Sequence, residues 1–319
     1  EQTVRELRYN LARDYMDAGR HQEAATLLEP LLAKWPDEYR FAIHLATCYQ
    51  ALERIAEARR VIDEVLERKG GNARAAQEKL AALQKTYDGK KPDELSDEQK
   101  LELHTLRREA GWNPYALEFL LGSLCFAEEN DDEALAHLRK AEQSDANQPG
   151  LHVKIGEVYL RMKRPADAER SFTRAIGIDP ECAPAHLGLC RSHLAERRSR
   201  DAAEAALKAV GLQYFNPFGH FLLGVALHRL NRLDRAVQAL QVAVAQNPNY
   251  VLAHRRLALI YDRRLRDPDR AAEHSRLAAA AQERLAELSA ARGVGAATPT
   301  AEELAVAGPP QVSGLPARE

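Results

Sequence analysis

A pattern of small residues returns every 34 positions along this chain, and it constrains the fold more than any other feature. Ala12 and Ala46 are 34 apart, and Gly122, Gly156, Cys190, Gly224 and Ala258 continue the same spacing. An aliphatic residue precedes each one: Leu11, Leu45, Leu121, Ile155, Leu189, Leu223 and Leu257. A second register runs through Ala24, Ala58, Ala134, Ala168, Ala202 and Ala236. A period of this length marks supersecondary units that cannot bury their apolar faces alone and must stack. A chain so built works by presenting surface, so function is sought first in a groove.

The repeats divide into helical hairpins near 5–36, 39–70, 115–146, 149–180, 183–214, 217–248 and 251–292. Gly19 suits a tight turn because it tolerates positive φ. Pro36, Pro180 and Pro248 end second helices, since proline cannot continue them. The last hairpin has one extra residue at its turn, near Asp267-Pro268, and its second helix runs on to about Ala291 as a cap. From Ala46 to Gly122 the period breaks by eight residues, which predicts a degenerate third hairpin at 73–114. Its helices fall at about Ala73–Tyr87 and Asp97–Ala110, the second N-capped by Ser96, with a break at Gly70-Gly71. Lys79, Leu80 and Glu109 depart from the repeat there, so looser packing is expected. The charged loop Asp88–Leu95 is either a tolerated insertion or a contact element for a partner. Residues 293–319 lose all periodicity and read as a disordered tail. The expectation is therefore an all-α, right-handed superhelical solenoid over 1–292, of about eight hairpins.

At these residues the chain resembles the tetratricopeptide repeat family. The resemblance rests on Leu11-Ala12, Tyr15, Ala24 and Pro36, and on Ile155-Gly156, Tyr159, Ala168, Phe172, Ala175 and Pro180. It covers about 1–290, and it implies a non-catalytic scaffold whose first helices line a concave groove for a protein or peptide. More weakly, 7–50, 209–230 and 252–278 look like the repeat region that follows the catalytic domain in bacterial alkaline-phosphatase-superfamily proteins. Phosphodiesterase and nucleotide-pyrophosphatase-like members are among these. That likeness offers an alternative: an accessory region of a larger enzyme. The chain begins Glu1-Gln2-Thr3, which suggests processing or excision from a longer polypeptide.

Carried onto this sequence, the family's groove positions supply Tyr9, Arg13, Ile43, Gln50, Phe119, Phe126, Val153 and Arg161. The later hairpins add Leu187, Arg191, Phe218, Phe221, His228, Arg229, Arg255 and Arg263. Of these, Tyr9, Arg13, Phe119, Arg161, Arg191, Phe218, Phe221, Arg229, Arg255 and Arg263 are the candidate partner-binding set. Aromatic or aliphatic anchors beside arginines suit an extended peptide or an acidic segment. The lysine and asparagine clamp with which some members grip chaperone C-termini is not reproduced at Tyr9 and Asn10.

Charge points the same way. Residues 1–148 hold 21 basic and 29 acidic side chains, net −8, whereas 149–292 hold 23 and 15, net +8. This is either drift in solvated faces or a polarised scaffold whose later half attracts acidic partners. Interspersed acids argue against nucleic acid, and no apolar run approaches membrane-spanning length.

Chemistry is not visible. The chain has no P-loop, no Gly-x-Ser-x-Gly, no His-Glu-x-x-His and no dinucleotide fingerprint, so it is read as no enzyme and as needing no cofactor. His152, His186, His220 and His254 form a ladder at the 34-residue spacing. Equivalent positions on neighbouring hairpins stand about 8–10 Å apart, too far to share one ion, so the ladder is read as packing and no metal is expected. Cys48, Cys125 and Cys190 fall at packing positions. Cys182 and Cys190 are separated by roughly 12 Å of helix, beyond disulfide reach. This suits a reducing compartment without excluding the periplasm.

Overall fold

The computed structural model describes residues 2–86 and 95–292, and side chains through 287. Residues 87–94, which hold most of the expected loop, and 293–319, the expected tail, lie outside the described residues. Every element among the described residues is helical. The chain divides into two compact units, Glu1–Asn147 and Gln148–Glu319.

The first unit holds α1 (Gln2–Asp17), α2 (His21–Lys34), α3 (Tyr39–Ala51), α4 (Ile55–Thr86), α5 (Asp97–Ala110), α6 (Tyr115–Ala127) and α7 (Asp131–Ser144). The second holds α8 (Pro149–Arg161), α9 (Pro165–Ile178), α10 (Ala183–Ala195), α11 (Ser199–Leu212), α12 (Pro217–Arg229), α13 (Leu233–Gln246), α14 (Val251–Ile260) and α15 (Pro268–Arg292). Within each unit the two helices of a hairpin pack against each other, and first helices also touch their counterparts in the next hairpin. The small register lies where the expectation puts it: Ala12, Ala46, Gly122, Gly156, Cys190 and Gly224 are all buried.

One turn geometry joins the two helices of a hairpin. Gly19, Glu53, Glu129, Lys163, Arg197 and Asn231 occupy one register, and all have φ between 58° and 73°. The next amide then reaches back five residues, as in Arg20 N to Tyr15 O and Arg164 N to Tyr159 O, both 2.8 Å. This bond satisfies a carbonyl that the helix end leaves open. In the last hairpin the extra residue is absorbed by a π-helical turn, Tyr261–Leu265, before Arg266 takes the left-handed position with φ 56°.

The third hairpin needs correction. Helix α4 runs unbroken through Gly70 and Gly71, so the expected second and third hairpins share one 32-residue helix. Two glycines cost a helix about 1 kcal/mol each. No proline follows them, and the flanking Arg68, Lys69, Arg74, Ala75 and Ala76 are strong helix formers. The far end of α4 packs on α5 through Ala73, Ala76, Leu103 and Leu106, a thinner core than elsewhere. Ser96 caps α5 as expected: its hydroxyl accepts from Gln99 N at 3.2 Å while Ser96 N donates to Gln99 Oε1 at 2.9 Å.

Candidate functional site

The first helices bring the expected groove residues onto recurring faces, but with unequal exposure. In the first unit Tyr9 is buried, its hydroxyl 3.2 Å from His44 Nδ1 and its ring 5.2 Å from Phe41. Arg13 is exposed, and half-buried Phe119 stacks on Tyr115 at 5.9 Å. In the second unit Arg161, Arg191 and Phe218 are half-buried, while Arg255 and Arg263 are exposed. Arg255 Nη2 donates to Gln282 Oε1 of α15 at 2.5 Å.

Phe221 is corrected. It is 0% exposed, packed among Cys190, Leu194, Leu222 and Val225 with its ring 5.2 Å from Tyr250. It is a core residue and offers no surface to a ligand. A face that looks inward on a helical wheel is buried wherever the neighbouring hairpin closes over it. Tyr9 is largely withdrawn for the same reason.

Arg229 does structural service as well as carrying charge. Its Nη1 donates to Leu194 O at 2.6 Å, in the last turn of α10. A cation there complements the negative end of the helix. Around it the sequence reading missed a basic cluster. Arg256, on the adjacent α14, is buried, and burial together with the Arg229 charge pulls its guanidinium down to about 10. Arg229 is lowered by burial and then by Arg197. Burial, then Arg256, Arg264 and Arg229, pushes His228 down to about 4. Perturbed groups of one sign gathered on two first helices mark a place where an anionic ligand is welcome. The signal for Arg256 was absent from the sequence because Arg255 and Arg256 differ only in which helix face they occupy.

A second missed feature is aromatic. Between α11 and α12, Phe215 is 82% exposed beside Tyr214. Both line a surface hollow of about 450 Å³ with Pro217, Val242, Ala245 and Gln246.

The histidine ladder is structural. His186 Nε2 lies 3.0 Å from Pro180 O, His220 Nε2 2.9 Å from Tyr214 O and His254 Nε2 3.2 Å from Pro248 O. Each rung, buried like His152, ties its first helix to a carbonyl six residues back, in the connection from the preceding hairpin.

Comparison with known proteins agrees with this architecture. Two models of the tetratricopeptide repeat match, one over residues 15–83 and another over 153–217 and 187–251. No curated protein matches, and nothing found links the chain to the alkaline-phosphatase superfamily. Among solved structures, the hetero-tetramer Cut9-Hcn1 of APC/C aligns over 85% of this chain and 45% of its own, with 13% identity and TM-score 0.62. MamA from Desulfovibrio magneticus RS-1 aligns over 54% of this chain and 97% of its own, with 20% identity and TM-score 0.50. YrrB, described as having an unusual peptide-binding site, aligns at 18% identity over 60% of this chain and 97% of its own, with TM-score 0.46. At these identities the likeness is one of fold.

Proposed function

The chain belongs to the tetratricopeptide repeat family, and from that premise we propose that α8, α10, α12 and α14 take an extended, acidic and apolar segment of a partner protein. The observation that carries this reading is the basic cluster that α12 and α14 bring together, half-buried His228, exposed Arg229 and buried Arg256, whose charged forms burial and mutual repulsion disfavour. A carboxylate arriving at the exposed Arg229 relieves the repulsion among these like charges and gains a charge-assisted bond. Exposed Arg255 and Arg263 and half-buried Arg161 and Arg191 extend the positive field, and Phe218 supplies an apolar edge. The net +8 of residues 149–292 steers an acidic chain toward this half. In the first unit, considered by itself, Arg13 and Phe119 are the corresponding candidate contacts.

The test is an array of acidic-apolar peptides, with the best binder titrated by fluorescence anisotropy. Arg191→Ala, Arg255→Ala and Arg263→Ala together are expected to weaken binding at least tenfold, and Phe218→Ala several-fold. Affinity is expected to fall with added salt, since exposed charges are screened within about 8 Å at physiological ionic strength. Equal binding by wild type and by the folded triple variant sinks the proposal and moves attention to the hollow beside Phe215.

A further inference from the structure

In several hairpins the turn is covered by one arrangement. A tyrosine near the end of the first helix lies under the arginine five residues later: Arg20 over Tyr15 at 4.5 Å, Arg54 over Tyr49 at 4.3 Å and Arg164 over Tyr159 at 4.8 Å. That arginine also pairs with an acid three residues on: Glu23 at 3.0 Å, Glu57 at 2.6 Å and Asp167 at 2.7 Å. Ring, cation and carboxylate together fill the turn.

The α6–α7 hairpin departs from this at several positions at once. Cys125 stands in the tyrosine register and Asn130 in the arginine register, while the acid is kept as Glu133. The bulky ring and the local cation are both gone. Into that room the next turn of α7 sends His137, where the other hairpins carry Leu27, Val61, Ser171, Ala205 and Ala239. Cys125 Sγ, a Glu133 oxygen and a His137 ring nitrogen all lie within 4.8 Å of one another. A fourth departure orients the imidazole: Glu118, buried on α6 where four later hairpins have the histidine ladder, sits with Oε2 2.7 Å from His137 Nδ1.

We propose that Cys125, Glu133 and His137 form a binding site for a single zinc-class divalent cation, with water as the fourth ligand. Thiolate, imidazole and carboxylate form the donor mixture such an ion takes in tetrahedral sites. Glu133 and His137 are four apart on α7 and therefore share a face. With Nδ1 donating to Glu118, Nε2 is the ligating atom, in the carboxylate–histidine–metal relay that fixes ring orientation. Nε2 is 4.0 Å from Glu133 Oε1. Bonds of about 2.1 Å at a tetrahedral angle need about 3.4 Å, a closure that side-chain rotation supplies. Glu133 is presently shared by Arg59 Nη2 at 2.5 Å and Asn130 Nδ2 at 2.7 Å. Arg59 keeps a second anchor on Glu128 at 2.7 Å when Glu133 turns to the ion. The charges around the site favour a dication: Glu118, Glu128 and Glu133, with Asp63 of α4 nearby, outweigh Arg59 and Lys140. A similar trio in the second unit, Glu169, His193 and Glu196, is different in kind. There the register arginine is retained, and Arg198 bridges Glu169 at 3.2 Å and Glu196 at 2.8 Å.

Cobalt(II) titration of the reduced full chain tests the site. One equivalent is expected to give a thiolate-to-cobalt charge-transfer band with intense tetrahedral d–d bands, and zinc should displace both. Cys125→Ser and His137→Gln are expected to abolish the charge-transfer band or weaken binding at least tenfold, whereas Glu169→Gln leaves it unchanged. The double variant Cys125→Tyr, Asn130→Arg rebuilds the ring–arginine pair of the other hairpins. It is expected to keep full helicity and lose the band. The proposal is overturned if the band persists in Cys125→Ser. It is equally overturned if wild type binds cobalt no more tightly than the double variant, which means an adventitious ion only.

Discussion

At the residue scale, single methyl groups decide how closely helices approach. A Cβ on Gly156 would lie 2.6 Å from the Phe172 ring, and one on Gly188 would lie 2.2 Å from the same ring. Phe172 of α9 is thus held between α8 and α10, so Gly156→Leu must displace a fully buried aromatic. A loss of about 1–3 kcal/mol is expected from such overpacking, read by urea denaturation; an unchanged midpoint contradicts the packing. Gly156 was legible because it lies in the 34-residue register. Gly188 was not, since it contacts the preceding hairpin and falls outside that register. The turn residues give a change of opposite sign. Lys163 has φ 58°, a conformation that costs a side chain about 1–2 kcal/mol. Glycine removes that cost but adds about 0.4–1 kcal/mol of unfolded-chain freedom. Lys163→Gly is therefore expected to stabilise by about 0.5–1 kcal/mol, seen as a raised melting temperature.

At the scale of elements, the imidazoles of the second unit set its response to acid. Burial lowers His193, His228, His254 and His274, and the charge of His254 further lowers His274 across an Nδ1–Nδ1 distance of 3.1 Å. The folded state disfavours their charged forms, so the unfolded chain takes up protons first as pH falls. Their stabilisation is complete above about 6.5, the ordinary histidine value. It is lost as pH drops toward 4, where folded His228 titrates. Each pKa unit corresponds to about 1.4 kcal/mol, so melting temperature is expected to decline between pH 6.5 and 4.5. His228→Gln should flatten that decline; an unaltered slope counts against it. Cap and terminator positions were readable from Ser96, Pro36, Pro180 and Pro248, because their chemistry is local. The fusion at Gly70-Gly71 was not, because two glycines permit a helix break without requiring one.

At the scale of the whole molecule, repetition made the fold legible, since stacked hairpins of one length leave little choice of architecture. The candidate site was legible only in part. Helical spacing marks an inward face, but whether the next hairpin covers it depends on packing between repeats, which withdrew Phe221 and Tyr9 while leaving Arg255 and Arg263 exposed. Phe215 escaped notice because it lies in a connection that carries no periodic signal. As a binding scaffold, the chain is expected to hydrolyse phosphomonoesters and phosphodiesters at no more than the background rate, with or without added divalent cation. Turnover that survives repurification and disappears with one point substitution overturns that expectation.

Helix α4 has a consequence for motion. At 1.5 Å per residue its 32 residues form a rod of about 48 Å, and Gly70 and Gly71 sit near its middle. The rod's first half is clamped by the buried Ala58, Ile62 and Val65, and its second half only by Ala73 and Ala76. Breaking the helix at the glycines therefore releases the second half together with α5 while the first stays seated. Amide hydrogen exchange should report two rates along this one continuous helix, slow before Gly70 and fast after Gly71, with α5 exchanging in step with the fast half.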